Sequence, residues 1–386
     1  MDTAFNIAKR DRRVGYITFF FSGICAISSG IIVSMLQEKY NFSFSLTGSL
    51  LTFLSIGNMA AAFLSGLLPK KIGVRRTVLL LCSGYFIGYL LTAFIGWPGL
   101  LLAAFLMIGL AKGCALNNCN VLIGRHSENR SRSMQILHAC YALGALLCPV
   151  IISALALGNA ELPIIGVALC GLIMWGIFAF AKLPGKPEKT SDNTNNVSRD
   201  FLHSADFWLL TALVFCQNAA ETSVSGWLVT YYREQQILSG ALSIYTMTIM
   251  WGATLIARLI IAFMLHIKDN FKALLFMGIG CTALYAAMIP ISSPIPASAA
   301  LFAFSFAMAG INPMSTASVG KYISQESMGV MLPIGAVGAI IMPLIIGVTA
   351  DSFGLQTGMM MNLIPCLGIA VISGILYKRN RSAVKA

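Results

Sequence analysis

The chain has 386 residues, of which 57% are hydrophobic and only 10% are charged. Its mean hydropathy of +0.80 is far too high for a soluble domain of this size, so the composition predicts a membrane protein with several spans. Whether the formal net charge of +12 indicates an anionic partner depends on where the basic residues lie.

Twelve apolar runs long enough to cross a bilayer follow one another along the chain. Six precede a polar segment at 183–206, which has the composition of a flexible cytoplasmic linker, and six follow it. The predicted fold class is therefore an all-α membrane protein with two six-helix halves, at 1–182 and 207–386. No cleaved signal peptide is expected, because the first run is long enough to remain as a span. The predicted spans are 14–36, 46–69, 77–97, 98–124, 133–157, 163–182, 207–231, 241–266, 271–292, 295–318, 327–350 and 355–377.

The basic residues are concentrated in the segments that face the cytoplasm if the N-terminus lies inside. The outward segments then hold only Lys39 and Arg233. This asymmetry follows the positive-inside rule, so the net charge reflects membrane topology and no nucleic-acid partner is expected. Both chain termini are expected in the cytoplasm.

No sequence feature indicates an enzyme, a metal site or a cofactor. The ten cysteines all fall within predicted spans, so a disulfide framework is not expected. The spacing of Cys114 and Cys119 is not that of a zinc site, and there is no phosphate-binding Gly-Lys-Ser loop.

An internal repeat relates the two halves. Its aligned segments are Ser29–Glu38 with Ser225–Glu234, Gly144–Ile152 with Gly338–Ile346, and Asn118 with Asn312. The offsets are 196, 194 and 194 residues. Parallel six-helix repeats are typical of transporters, whose substrate site lies between the repeats near the membrane midplane.

The seventh span carries polar side chains at its centre. Gln217, Glu221 and Ser225 lie four residues apart, and Asn218 lies three residues before Glu221, so all four share one helical face. A carboxylate at membrane depth is costly and nearly always faces a bundle interior or an aqueous cavity. We expect this face to line a polar path. The alternative is a structural acid, neutral or paired, that holds helices together.

Lys112 in the fourth span is a second charge inside an apolar run. It shares one broad helical face with Gly109, Leu116 and Asn120. Because a lone buried ammonium is costly, it must be neutral, paired or bound to an anion. Lys112 could pair with Glu221 across the halves in the empty protein, or it could hold an acidic group of the substrate. A snorkelling or structural lysine is the third interpretation.

Other polar and aromatic side chains in the spans are candidates for substrate contact. Amides suit a hydroxylated solute because they donate and accept hydrogen bonds, although each could instead bond a neighbouring helix. Aromatic rings could stack on a sugar ring or anchor the protein at the membrane interface. The candidates are Asn117, Asn118, Asn120, Asn312, Trp227, Trp251, Tyr141 and Tyr245.

The loop after the second span resembles a family signature. The stretch Gly66-Leu-Leu-Pro-Lys70-Lys-Ile-Gly73-Val-Arg75-Arg76 resembles Gly-x-Leu-x-Asp-x-x-Gly-x-Arg-Arg of the major facilitator superfamily. Lys70 replaces the aspartate that helps to latch the cytoplasmic side in that superfamily. The resemblance implies a monomeric, multi-pass transporter of the bacterial inner membrane that works by alternating access, with these residues at its cytoplasmic gate.

Three further stretches resemble the fucose/proton symporter-like group of that superfamily. They are Arg132–His138 with Gly144–Pro149, Glu221 with Ser225–Tyr231, and Trp251–Gly252 with Arg258–Ile260. The resemblance implies uptake of a sugar or a related hydroxylated compound. The group's acids in spans 1 and 4 are absent here, and Leu116 occupies one such position. Glu221 is then the one deep acid that could couple transport to protons.

Two basic side chains within the spans are further gate candidates. Arg258 is expected to pair with backbone carbonyls or with a cytoplasmic group. His138 lies about one turn inside span 5, where an imidazole can change charge near neutral pH, although a lone histidine is more often a packing residue.

Two other transport functions stay open. An organic-anion carrier would use Lys112, and an efflux pump for amphipathic compounds would be lined by methionine and phenylalanine. A receptor or scaffold on this fold would be expected to carry a large soluble domain, which the sequence does not contain. The expected partners are a small-molecule substrate, the lipid bilayer and, where transport is coupled, protons.

Overall fold

The computed structural model describes residues 2–125, 130–156, 161–181, 199–265, 269–318 and 325–385, with the single residues 159, 183 and 267. Most of the predicted linker lies outside these residues. The described helices are α1 (Asp2–Tyr40), α2 (Phe44–Ile72), α3 (Val74–Phe94), α4 (Pro98–Arg125), α5 (Arg130–Leu155), α6 (Leu162–Phe180), α7 (Ala205–Glu234), α8 (Gly240–Ser243), α9 (Thr246–Phe263), α10 (Asn270–Met288), α11 (Pro294–Met308), α12 (Ile311–Ala317), α13 (Gln325–Phe353), α14 (Leu355–Met360) and α15 (Leu363–Lys385). A short 3₁₀ helix at Arg199–His203 precedes α7.

The helices reproduce the predicted spans. In the described part of the chain, eleven helical segments are long and apolar enough to cross a membrane. Three of these segments consist of two successive helices each, namely α8 with α9, α11 with α12, and α14 with α15. The remaining span is α7, whose 30 residues are long enough but whose central polar side chains lower its hydropathy. The predicted fold class is confirmed.

The chain divides into two compact units. The first comprises 1–42 and 49–192, and the second comprises 43–48 and 193–386. In the first unit α1 packs on α4, α5 and α6, while in the second α7 packs on α13 and α15. The first turn of α2 groups with the second unit, which the predicted division at the linker did not anticipate.

Close approach of helix backbones holds the first unit together. A Cβ atom on Gly109 of α4 would lie 2.0 Å from the Leu54 carbonyl oxygen of α2. A Cβ atom on Gly144 of α5 would lie 2.0 Å from the Phe20 carbonyl oxygen of α1. Small residues let helices approach this closely in a membrane, where dispersion contacts replace the hydrophobic effect as the source of association.

We therefore expect Gly109→Ala to destabilise the protein by about 1–3 kcal/mol, because the obstructing atom belongs to a backbone that must shift. Gly176→Ala on α6 is the matched control, since nothing lies within 4 Å of its added Cβ atom. The difference is measured by thermal unfolding in detergent, with the loss of monodisperse protein as the readout. Equal melting temperatures for the two variants would contradict the packing assigned to Gly109.

A carboxylate caps the start of α2. Asp351 at the end of α13 accepts hydrogen bonds from the backbone N–H groups of Phe44, at 2.7 Å, and Ser45, at 2.8 Å. All three residues belong to the second unit. The contact satisfies two N–H groups that have no partner within their own helix, and it places a negative charge at the positive end of the helix dipole.

Removing this cap with Asp351→Ala is expected to cost about 1 kcal/mol of stability. Asp351→Asn should retain most of it, because an asparagine oxygen also accepts from the N–H groups at a helix start. Thermal unfolding of both variants tests this, with Ser352→Ala at the neighbouring exposed position as the control. A loss as large in the control as in Asp351→Ala would argue against the cap.

Candidate functional site

The centre of α7 presents a buried amide beside a carboxylate. Only 2% of the Gln217 surface is exposed, and Glu221 one turn later is half-buried. Gln217 donates a hydrogen bond from Nε2 to Glu221 Oε2. Because the carboxylate is partly buried, the amide donor compensates for part of its lost hydration.

Asn312 of α12 extends the contact to a second helix. Its Nδ2 atom donates to Gln217 Oε1 at 3.0 Å and to Asn218 Oδ1 at 3.1 Å. We call Gln217, Asn218, Glu221 and Asn312 the amide–carboxylate cluster. Its members all lie in the second unit. Asn312 contacts two of the three α7 residues predicted to share a face, and the third, Glu221, is bonded by Gln217 of the same helix.

Some of the hydrogen-bonding capacity of the cluster is unused. An ionised carboxylate has about four acceptor sites, and among the described residues Glu221 receives its hydrogen bond from Gln217 alone. Each amide in the cluster can also exchange an internal hydrogen bond for one to a ligand. The arrangement can therefore bind a group that both donates and accepts hydrogen bonds, such as a hydroxyl.

Ser225, predicted on the same face, does not join the cluster. Its hydroxyl donates to the Thr222 carbonyl within α7 at 3.1 Å. Serine hydroxyls commonly bond the preceding helical turn in this way, which satisfies the group locally. Ser225 is thus a polar residue on α7 with a partner of its own.

The tryptophans proposed for sugar stacking are packed inside the second unit. Trp227 is 0% exposed, and its Nε1 atom donates to the Pro343 carbonyl of α13 at 3.1 Å. Trp251 on α9 is 7% exposed. In this structure the Trp227 ring joins α7 to α13 and does not present a face to a ligand.

In the first unit the candidate polar side chains, one lysine and three asparagines, lie along α4. Lys112, Asn117 and Asn120 are half-buried. Asn118 donates to the Cys114 carbonyl of its own helix at 2.9 Å. The Asn120 Oδ1 atom is buried and has no hydrogen-bond partner among the described residues.

Asn58 on α2 was missed by the sequence interpretation. It packs against Gly113 of α4, where its Oδ1 atom lies 3.1 Å from the position of an added Cβ atom. That oxygen is also buried with no partner in the described part of the chain. An amide in the middle of an apolar span was the available signal.

His138 and Tyr141 on α5 flank the same ring of α1. The centre of the Phe19 ring lies 5.0 Å from that of Tyr141 and 5.6 Å from that of His138. His138 is exposed and Tyr141 is half-buried. Both side chains thus make an aromatic contact with α1 within the first unit.

Arg75 of the signature loop binds the end of another helix. Its guanidinium donates to the Ala179 carbonyl at the C-terminus of α6, at 2.7 Å. Lys70 and Arg76 are exposed. Gly66 lies in α2, and Gly73 between α2 and α3 has a φ of 86°. A positive φ is strained for other residues, so the loop requires glycine there.

The spacing of the signature recurs at the end of α13, which the sequence interpretation also missed. Gly347, Asp351 and Gly354 follow Gly66, Lys70 and Gly73 at a constant offset of 281 residues. Gly354 has a φ of 85°, close to that of Gly73. The aspartate that is absent at Lys70 is present at this second copy, where it caps α2.

Arg258 on α9 donates from Nε to the Ala309 carbonyl at 3.4 Å. Its predicted pairing with a backbone carbonyl is confirmed. No group of three or more histidine, cysteine, aspartate or glutamate side chains that could hold a metal ion occurs among the residues searched, which are those the structure describes.

A membrane protein with two six-span units and a buried polar cluster in one of them has the construction of a secondary transporter. Comparison with known proteins agrees, since residues 15–334 match the Major Facilitator Superfamily. The chain belongs to this family. It is a multi-pass membrane transporter and not an enzyme.

The individual relatives share about a quarter of their residues with this chain over the aligned segments. The glucose/mannose transporter GlcP of Bacillus subtilis (strain 168) is 24% identical over 356 residues, which cover 86% of each chain. A gallate transporter of Pseudomonas putida is 26% identical over 121 residues, covering 31% of this chain and 27% of that protein.

Solved structures share the fold. The nucleoside transporter NupG superposes with a TM-score of 0.76 at 13% identity, covering 97% of this chain and 99% of the other. A bacterial homologue of the human lysosomal transporter Spinster, in an inward-facing and occupied conformation, superposes with a TM-score of 0.73 at 12% identity, covering 97% and 96%.

Proposed function

We propose that the protein carries a sugar or a related hydroxylated solute and that the amide–carboxylate cluster forms part of its binding site. The observation that supports this is the chain of hydrogen bonds from Asn312 through Gln217 to Glu221. A polyhydroxylated solute can replace these bonds one for one, because each hydroxyl donates and accepts.

The chemistry of the cluster favours a neutral hydroxylated solute over an anionic one. Three amides carry no net charge, and the single carboxylate accepts hydrogen bonds from hydroxyl groups. A hydrogen bond to a charged group contributes about 1.5–3 kcal/mol. A few such bonds give the affinity that a transporter needs without holding the solute too tightly. The alignment with GlcP over most of both chains supports the same solute class.

In this proposal transport is coupled to protons through Glu221. Protonation would remove its charge and turn one acceptor oxygen into a donor. The new O–H group can donate to a hydroxyl oxygen of the solute while the other carboxyl oxygen still accepts from Gln217, so binding of the proton and binding of the solute would favour each other. In this proposal the protein is a monomer of the bacterial plasma membrane. Both termini are cytoplasmic, as the positive-inside rule indicates, and the two halves rock to give alternating access.

The test is uptake of radiolabelled D-glucose and D-mannose into proteoliposomes under an imposed proton gradient. Glu221→Gln should reduce gradient-driven accumulation at least tenfold, about 1.4 kcal/mol or more, and should remove its pH dependence. Ser225→Ala is the matched control, because this hydroxyl lies one turn away and bonds its own helix. Wild-type accumulation by Glu221→Gln, at every pH, would exclude the coupling role.

Two observations support a second candidate function, an organic-anion carrier. Lys112 lies half-buried within α4, and part of the chain aligns with the gallate transporter. Uptake of gallate by the wild type, lost in Lys112→Gln, would favour this function over sugar transport. Uptake of D-glucose by the wild type and by Lys112→Gln, without uptake of gallate by either, would exclude the organic-anion carrier.

A further inference from the structure

The helix of the tenth span is interrupted just before Asn312. α11 ends at Met308 and α12 begins at Ile311, with Ala309 and Gly310 between them. In a continuous helix the Ala309 carbonyl would accept a hydrogen bond from the N–H group four residues later. That residue is Pro313, which has no N–H group. The Ala309 carbonyl thus loses its helical donor while only 4% of this residue is exposed.

A cation from the neighbouring helix takes the place of the missing donor. Arg258 Nε lies 3.4 Å from the Ala309 oxygen. One turn further along α9, the Ile261 side chain lies 2.8 Å from the position of a Cβ atom added to Gly310. α9 therefore packs directly on the interruption, with a guanidinium at the carbonyl and an aliphatic side chain at the glycine.

The first half of the repeat has neither component. At the offset of 194 residues that relates Asn118 to Asn312, Cys119 corresponds to Pro313. At offsets of 194 to 196, Arg258 corresponds to residues 62–64, which are all apolar. α4 is a single helix from Pro98 to Arg125.

The two equivalent asparagines also bond differently. Asn118, in the unbroken helix, donates to the carbonyl four residues earlier in α4. Asn312, just after the interruption, donates to Gln217 and Asn218 on α7. The interruption accompanies the change from a bond within the helix to bonds with a neighbouring helix.

We propose that Arg258 and Pro313 act as a pair that positions Asn312 in the amide–carboxylate cluster. Pro313 opens the helix, and Arg258 holds the freed carbonyl three residues before Asn312, which in turn holds Gln217 against Glu221. Arg258 is then a positioning residue for the binding site, in addition to any part it takes in a gate. This inference rests on the proposed function for its effect on substrate.

A stability cycle tests the pair without any ligand. Arg258→Met should lower the melting temperature in detergent by about 2–6 °C, because the buried Ala309 carbonyl then lacks a donor. Pro313→Ala restores an N–H group to that carbonyl, so Arg258→Met should lower the melting temperature by less than half as much in this background. Equal shifts in the two backgrounds would overturn the pairing.

A binding cycle tests the action on Asn312, with radiolabelled D-glucose as the probe for purified protein. Arg258→Met should weaken binding roughly tenfold in the wild-type background and less than twofold in an Asn312→Ala background. Arg258→Lys keeps a donor and should recover part of the affinity. Additive losses from Arg258→Met and Asn312→Ala would overturn the positioning role.

The two proposals fail in distinguishable ways. If the wild type binds no D-glucose, the sugar assignment fails. The positioning role is then decided by the stability cycle between Arg258→Met and Asn312→Ala in the protein without ligand. Non-additive melting shifts in that cycle would support it, and additive shifts would overturn it.

Discussion

A carboxylate inside a bilayer must be supplied with hydrogen-bond donors, because lipid supplies none. In this protein Gln217 supplies one to Glu221, and Asn312 supplies one to the oxygen of Gln217. The same requirement sets the polar composition of α7, which lacks the high hydropathy of the other spans. A separate contact, from Trp227 to the Pro343 carbonyl, holds α7 against α13. The side chains that satisfy the acid are also those that can bind a hydroxylated solute.

The positions of the spans could be predicted from hydropathy because a bilayer demands long apolar segments. The predicted span 77–97 corresponds to α3 at Val74–Phe94, and 163–182 corresponds to α6 at Leu162–Phe180. The breaks inside spans 8, 10 and 12 could not be predicted in this way. A break such as that at Ala309 arises from one missing N–H group, which hardly changes the hydropathy of the segment. Pro313 was the local signal for it.

The site was predictable where helical periodicity determines it. The common face of Gln217, Asn218 and Glu221 follows from their spacing alone. The helix that contacts this face could not be predicted from the sequence, because Asn118 and Asn312 are equivalent in sequence yet bond to different elements. Trp227 was a stacking candidate by residue type, and its burial depends on α13. Asp351 was missed since the signature was sought only in the loop where the family usually has it.

The most direct test of this account is a structure determined with D-glucose bound at neutral pH. The account predicts sugar hydroxyls within hydrogen-bond distance, about 2.6–3.2 Å, of Glu221 and of Gln217 or Asn312. The Gln217–Asn312 bond should be rearranged in that complex to admit the sugar. A transported sugar that contacts none of these three side chains would contradict the central claim that the amide–carboxylate cluster binds the solute.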